Sequence, residues 1–279
     1  MSAVVTQPDR PSGRGQKLAP PPVKSAALAR GLAVYAPLRL RPFAAELDAL
    51  APDILVVASY GRILPQAILE LPRAGIAFNV HPSLLPLYRG ATPLQSALRD
   101  GRTETGVTIM AMDAGMDTGD ILLQERTPIG GAETYGQLHD RLALRGGDLL
   151  IAAIDRLLAG TLERTPQAAR GVPADEIAAT LTRPLTKDDM AVDWSQPAAR
   201  IVDLIRALAP APAARAALSG ENVKILAARL ALAGEAGVTA DDGVVERAGD
   251  GGGVVLLRVT PPNRGAMSGA AFARARAAV

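Results

Sequence analysis

The 279-residue chain contains no cysteine. A disulfide framework, a thiolate nucleophile and a Cys-ligated zinc site are therefore excluded, and a reducing cytoplasm is the expected setting. Histidine is nearly absent: His81 and His139 are the only two, too few for a multi-histidine metal site, so no metal is expected. No apolar run approaches the roughly 20 residues of a membrane span, and no charged-then-apolar signal opens the chain; a membrane role is not expected. Aromatic residues make up 3% of the chain, a compositional bias without functional content. Charge of either sign is not in excess. Thirty Lys and Arg face 28 Asp and Glu, and the net +2 does not by itself imply nucleic-acid binding, so the placement of the cations matters more. The length suffices for a full core and one or two domains.

What is present concentrates in one stretch, Phe78 to Gln124. A short apolar strand over 76–80 delivers Asn79 and His81 to one face, because alternate strand residues point the same way. Pro82 ends the strand. The loop SLLPLYRGATP follows, then a second apolar run, 107–112, and the turn Asp113-Ala-Gly-Met-Asp117-Thr-Gly119. An amide, an imidazole and a carboxylate thus fall at strand ends or in the loops after them, where open α/β sheets bind ligands. Asn supplies an N–H for a developing oxyanion. His exchanges protons near neutral pH. Asp orients and charge-stabilises such a His. An amine brought by the substrate makes a protein nucleophile unnecessary. Taken singly, each residue also has a structural reading: His81 satisfied by backbone, Asn79 and Asp117 as turn residues.

Strands are predicted at 1–6, at LAVYAP, at 54–58 and at 121–127, with helical spacing over 41–50 between them; the alternation argues a parallel, doubly wound sheet. The loop QPDRPSGRGQKLAPPPVK carries Arg10, Arg14, Lys17 and Lys24 and is expected to be irregular, as a phosphate-binding element or as a solvated linker. Thr134 and Gln137 form a capping-box pattern that opens an amphipathic helix, with His139 on its surface. Residues 161–183 turn polar and read as a linker. A helix over 197–208 and strands over 223–232, 243–246 and 254–259, separated by glycine-rich turns, predict a small β-barrel. The resulting division is 1–160, 161–183 and 184–279.

The pattern N-x-H-x-S-L-L-P-x-x-R-G, with D-x-G-x-D-T-G downstream, resembles the formyltransferases that use 10-formyltetrahydrofolate. The loop and the second domain narrow the resemblance to the members that formylate initiator methionyl-tRNA, and it covers essentially the whole chain. It implies an α/β, Rossmann-like catalytic domain followed by a C-terminal, tRNA-binding β-barrel of the oligonucleotide-binding type. It also implies a further strand, a Gly-Thr-Pro turn and a helix ahead of Met1, so the first domain reads as lacking its first strand. Asn79, His81 and Asp117 fall on the family's catalytic triplet, with His81 protonated. Ser83, Leu84, Leu85 and Pro86, together with Tyr60, Gly61, Ile63 and Asp113, fall on its folate-binding segments. Arg14, flanked by Arg10 and Lys17, falls on the loop that enters the tRNA acceptor stem. The implied partners are initiator methionyl-tRNA and the folate cosubstrate, with no metal and a monomeric enzyme. Two rival readings remain at this point. One is formyl transfer to another amine, on glycinamide ribotide or an amino sugar nucleotide. The other is a non-catalytic RNA-binding relative.

Overall fold

The computed structural model describes every residue except Gly13, Arg14, Ser219 and residues 233–234, 236–242 and 278–279. In chain order the first elements are β1 (Val4–Val5), β2 (Arg10–Ser12), β3 (Lys17–Ala19), α1 (Pro22–Leu28), β4 (Val34–Tyr35), α2 (Leu40–Ala49), β5 (Leu55–Val57) and α3 (Gln66–Leu69). β6 (Ala77–His81), α4 (Pro93–Arg99), β7 (Glu104–Ala111), β8 (Ile121–Pro128) and the long α5 (Tyr135–Leu158) complete the first half. α6 (Ala174–Ala179), α7 (Ala198–Leu208), β9 (Ala214–Leu218), β10 (Glu221–Leu230), β11 (Val244–Arg247), β12 (Gly253–Thr260), β13 (Met267–Ser268) and α8 (Gly269–Ala277) follow.

β1 pairs in parallel with β4, and β5-β6-β7-β8 form a separate four-stranded sheet. Only β5 and β6 run parallel in it; β7 is antiparallel to both its neighbours. The sheet is mixed, not uniformly parallel as the strand–helix alternation predicted. A parallel return needs a crossover that carries the chain back along the strands. The connection from β6 to β7, residues 82–103, carries α4 in its middle and brings the chain back to the edge where it left, so that β7 runs antiparallel to β6. The basic loop also departs from expectation. β2 and β3 pair as an antiparallel hairpin, in whose turn Gly15 and Gln16 adopt positive φ, and α1 follows.

α5 covers one face of the sheet. Leu138, Leu142 and Ala153 pack with Phe78, Val107 and Ile109 in the main core. Gly146 makes the close approach possible: a Cβ there would stand 2.9 Å from a Val80 methyl. The helix opens with the predicted capping box, Thr134 Oγ1 accepting from the Gln137 N–H while the Gln137 side chain accepts from the Thr134 N–H. In the second half, β11-β12-β10-β9 form a curled antiparallel sheet with β13 on β12. Register shifts at Ile225, Ala227 and Ala228 bend β10 where it meets β12. The sheet closes over Ile201, Ile205 and Leu208 of α7 and Phe272 of α8.

α7 also faces the first half. Its Ala207 belongs to the main core, and Arg206 donates to Asp203 at 2.8 Å and to the Gly130 carbonyl at 3.3 Å. Arg200 donates to the Arg99 carbonyl at the end of α4 (3.1 Å). Residues 161–183, read from sequence as a linker, are laid against the first half through hydrogen bonds described below.

Thr134→Ala removes the capping acceptor of α5 and should cost about 1 kcal/mol. We expect a melting temperature lower by about 2–4 °C, with the fold at 25 °C unchanged.

Candidate active site

β6 and β7 set the geometry. Their register places Asn79 opposite Met110 and His81 opposite Thr108. Because the strands are antiparallel, the loop after β7 starts at the far end of β6 from His81. It folds back over the strand face. Ala111 N–H binds the Asp120 carbonyl, and Asp113 Oδ1 accepts from Gly115 N–H and Thr118 Oγ1. This delivers Asp117 to the strand residues. Its Oδ1 lies 3.5 Å from Asn79 Nδ2, and its Oδ2 lies 3.7 Å from His81 Nδ1 and accepts the Gly90 N–H at 2.8 Å.

The other imidazole nitrogen is already engaged. His81 Nε2 stands 2.9 Å from the Tyr88 carbonyl, an acceptor only, so Nε2 carries the proton. Nδ1 is then the nitrogen that gains or loses one, directly beside Asp117. His81 is 4% exposed, and this burial pushes its imidazole below the ordinary histidine value; the Asp117 charge and the Tyr88 carbonyl oppose the shift. Burial thus favours the neutral ring with its Nδ1 lone pair beside Asp117, against the protonated ring that the resemblance implies.

The expected folate residues separate into groups. Ser83 is buried and its Oγ donates to the Leu87 carbonyl (2.7 Å). Thr108 Oγ1 donates to the Ser83 carbonyl and accepts from the Leu85 and Gln124 N–H groups, pinning the loop to the sheet. Leu85 packs on Met110 and Ile121. Leu84, Leu85 and Pro86 line a cavity of about 410 Å³ with Arg102, Arg126 and Arg170, whereas Tyr60, Gly61, Ile63 and Asp113 are not on its walls. The Tyr60 ring turns into the α2–α3 core, and the Asp113 carboxylate closes its own turn. Ile63 is 94% exposed. Among the expected tRNA contacts, Arg10 and Lys17 are exposed on the hairpin; Arg14 lies outside the described residues.

The motif in the sequence includes Arg89 and Gly90 without giving either a role, and sequence reasoning assigned no part to Tyr88, Gln167, Thr180 or Thr182; all six surround the site. Gly90 sits at φ +108°, and a Cβ on it would lie 2.1 Å from the Thr182 carbonyl oxygen. Both features require glycine.

The arrangement is an amide donor and a proton-exchanging imidazole on one strand face, with a carboxylate laid against them from a loop, which suits acyl-type transfer to an amine. The family model described as formyl transferase matches residues 1–154, and that of the formyl transferase C-terminal domain matches residues 184–277. The chain belongs to the formyl transferase family. Among relatives, it is 52% identical over 231 residues to the methionyl-tRNA formyltransferase of Pseudomonas fluorescens (strain SBW25), covering 82% of this chain and 70% of that one. To the methionyl-tRNA formyltransferase of Pseudomonas entomophila (strain L48) it is 46% identical over 272 residues, covering 95% and 85%. Among solved structures, the fold resembles HypX from Aquifex aeolicus in complex with tetrahydrofolic acid (TM-score 0.62, 18% identity, 97% of this chain and 46% of that one). It also resembles WlaRD, a sugar 3N-formyl transferase (TM-score 0.62, 18% identity, 94% and 88%).

The lowered His81 value has a consequence for stability. The unfolded chain takes up the histidine proton near pH 6.5, while the folded chain resists it. Stability is therefore complete above that pH and falls as the pH drops from there toward the folded value. Urea unfolding at pH 7.5 and 5.5 should show an acid loss that His81→Gln reduces and His139→Gln, at an exposed position, leaves in place.

Proposed function

We propose that this chain transfers the formyl group of 10-formyltetrahydrofolate to the free α-amine of methionyl initiator tRNA, yielding N-formylmethionyl-tRNA for translation initiation. The observation that carries the reading is the site's polarity: His81 with Nε2 occupied and Nδ1 open beside Asp117, next to the Asn79 amide. The high identity to methionyl-tRNA formyltransferases along most of the chain favours this acceptor over glycinamide ribotide or an amino sugar nucleotide.

The methionyl amine attacks the formyl carbon, and the carbonyl electron pair moves onto oxygen. Asn79 Nδ2, only loosely held by Asp117 at 3.5 Å, has an N–H for that oxyanion. One such donor contributes about 3–4 kcal/mol. His81 Nδ1 takes the proton leaving the amine, and the Asp117 carboxylate stabilises the imidazolium so formed. When the carbon–nitrogen bond to folate breaks, His81 returns the proton to the departing nitrogen, and the ring is neutral again. The folate contacts are assigned to the backbone and apolar groups of Ser83–Pro86, Tyr60–Ile63 and the Asp113 loop. The tRNA is assigned to the Arg10–Lys17 hairpin and to the unit from residue 184 onward.

Formyl transfer from 10-formyltetrahydrofolate to methionyl initiator tRNA tests the reading directly. Asn79→Ala should lower kcat about 10²–10³-fold with little change in KM. Equal or better formylation of an amino sugar nucleotide, or undiminished turnover by Asn79→Ala, would contradict it.

A further inference from the structure

Gln167 lies in a 3-10 turn of the segment between the two units and is 5% exposed. Its side-chain amide is used completely. Oε1 accepts from Arg89 Nε (3.0 Å) and Nη2 (2.7 Å). Nε2 donates to the backbone carbonyls of Asp117 and Gly119, both at 2.8 Å. The opposite amide orientation would set NH2 against a guanidinium and oxygen against two carbonyls, so this one orientation is enforced. Asp117 needs such support: it is a non-glycine residue at φ +54°, a conformation that costs about 1–2 kcal/mol.

Arg89 is held in turn. Its carbonyl accepts from Thr182 N–H (2.8 Å) and Thr182 Oγ1 (3.0 Å). The next residue, Gly90, donates to the Asp117 carboxylate. Thr180 Oγ1 accepts from the N–H of Tyr88, whose carbonyl holds His81. One polar segment thus grips both neighbours of the imidazole, and Gln167 is where the grips meet.

We infer that Gln167 is a positioning residue for the reaction: it fixes the Asp117 loop so that the carboxylate stays opposite His81 Nδ1. This rests on the proposed roles of His81 and Asp117. The interaction is buried and bidentate on both sides, so its loss moves the carboxylate while the hydrophobic cores remain.

The test uses the full chain and two variants. Gln167→Leu removes all four hydrogen bonds. Gln167→Asn stays neutral and keeps an amide, but is one methylene too short to span Arg89 and the two loop carbonyls together. Among the described residues, Asp117 is the charged side chain paired with the His81 ring. With only two histidines in the chain, an imidazole NMR titration reads His81 directly, and exposed His139 serves as the internal reference. Both variants should move the His81 titration to lower pH, because the nearby negative charge is displaced, and leave His139 unmoved. Both should lower kcat for formyl transfer about 10–100-fold, the usual range for a residue supporting a ligand or catalytic group, with KM for tRNA nearly constant. An unchanged His81 titration in Gln167→Asn, or in Gln167→Leu, would overturn the inference, whatever the activity. Should Gln167→Leu not fold, Gln167→Asn decides alone. A wild-type chain that transfers no formyl group would count against the proposed function, while the titration still decides the role of Gln167.

Discussion

The antiparallel pairing of β6 with β7 is the constraint from which the site follows. In a parallel sheet, loops after neighbouring strands open on the same edge, and side chains at strand ends meet there without further arrangement. Here the loops after β6 and β7 leave from opposite edges, with Phe78 opposite Ala111 and His81 opposite Thr108. Five strand residues span about 16 Å. A carboxylate carried after β7 meets a histidine at the end of β6 only if its loop lies back across the strand face. Residues 112–120 do so, closed on themselves by Asp113 and by the Ala111–Asp120 hydrogen bond.

This divides the site into two kinds of residue. Asn79 and His81 are carried by a central strand, whose ladder and core hold their backbones without help. Asp117 is on a loop at a positive φ and is placed only by what binds it. Buried polar groups must find partners, and here the partners come from a segment whose other end leads into the second unit. Placing a carboxylate this way suits the imidazole's task. A histidine this deeply buried resists charging, so a fully relaxed ion pair at rest would leave no lone pair to receive the amine proton. A carboxylate at 3.7 Å from Nδ1 is close enough to steady the imidazolium once it forms, yet makes no tight hydrogen bond at rest.

Much of this was legible where the signal is local. The alternation that puts Asn79 and His81 on one face needs three residues, and the Thr134–Gln137 capping box needs four; both hold in the structure. Strand direction is not local. The run 107–112 reads as a strand whichever way it points, and its orientation comes from the path of the connection before it. The Ser83–Pro86 loop has no periodicity from which to tell that Ser83 and Leu85 turn inward. The supporting residues were least legible. Gln167 is 78 residues from Arg89, and Thr182 is 90 from Thr92. In sequence, each is one polar residue in a polar stretch, indistinguishable from a solvated one.

That polar stretch also bears on how a long acceptor would be handled. If residues 161–183 were a free tether, the second unit would sample many positions relative to His81, and each productive encounter would carry that entropy cost. Instead the stretch is fastened to the loops around His81. α7, the helix at the centre of the second unit, contributes Ala207 to the first core and joins α4 through the Arg200 contact with the Arg99 carbonyl. The Gly136 N–H at the start of α5 closes the junction on the Ala209 carbonyl just beyond α7. A polyanion gripped on the second unit would therefore meet the reacting strand at a fixed offset. In the proposed reaction only the terminal amine reacts while most contacts are made far from it, and such an offset converts remote binding into placement of that amine near Nδ1 of His81. The hydrogen bonds of residues 161–183 then serve both purposes at once, holding Asp117 in place and keeping the two units in register.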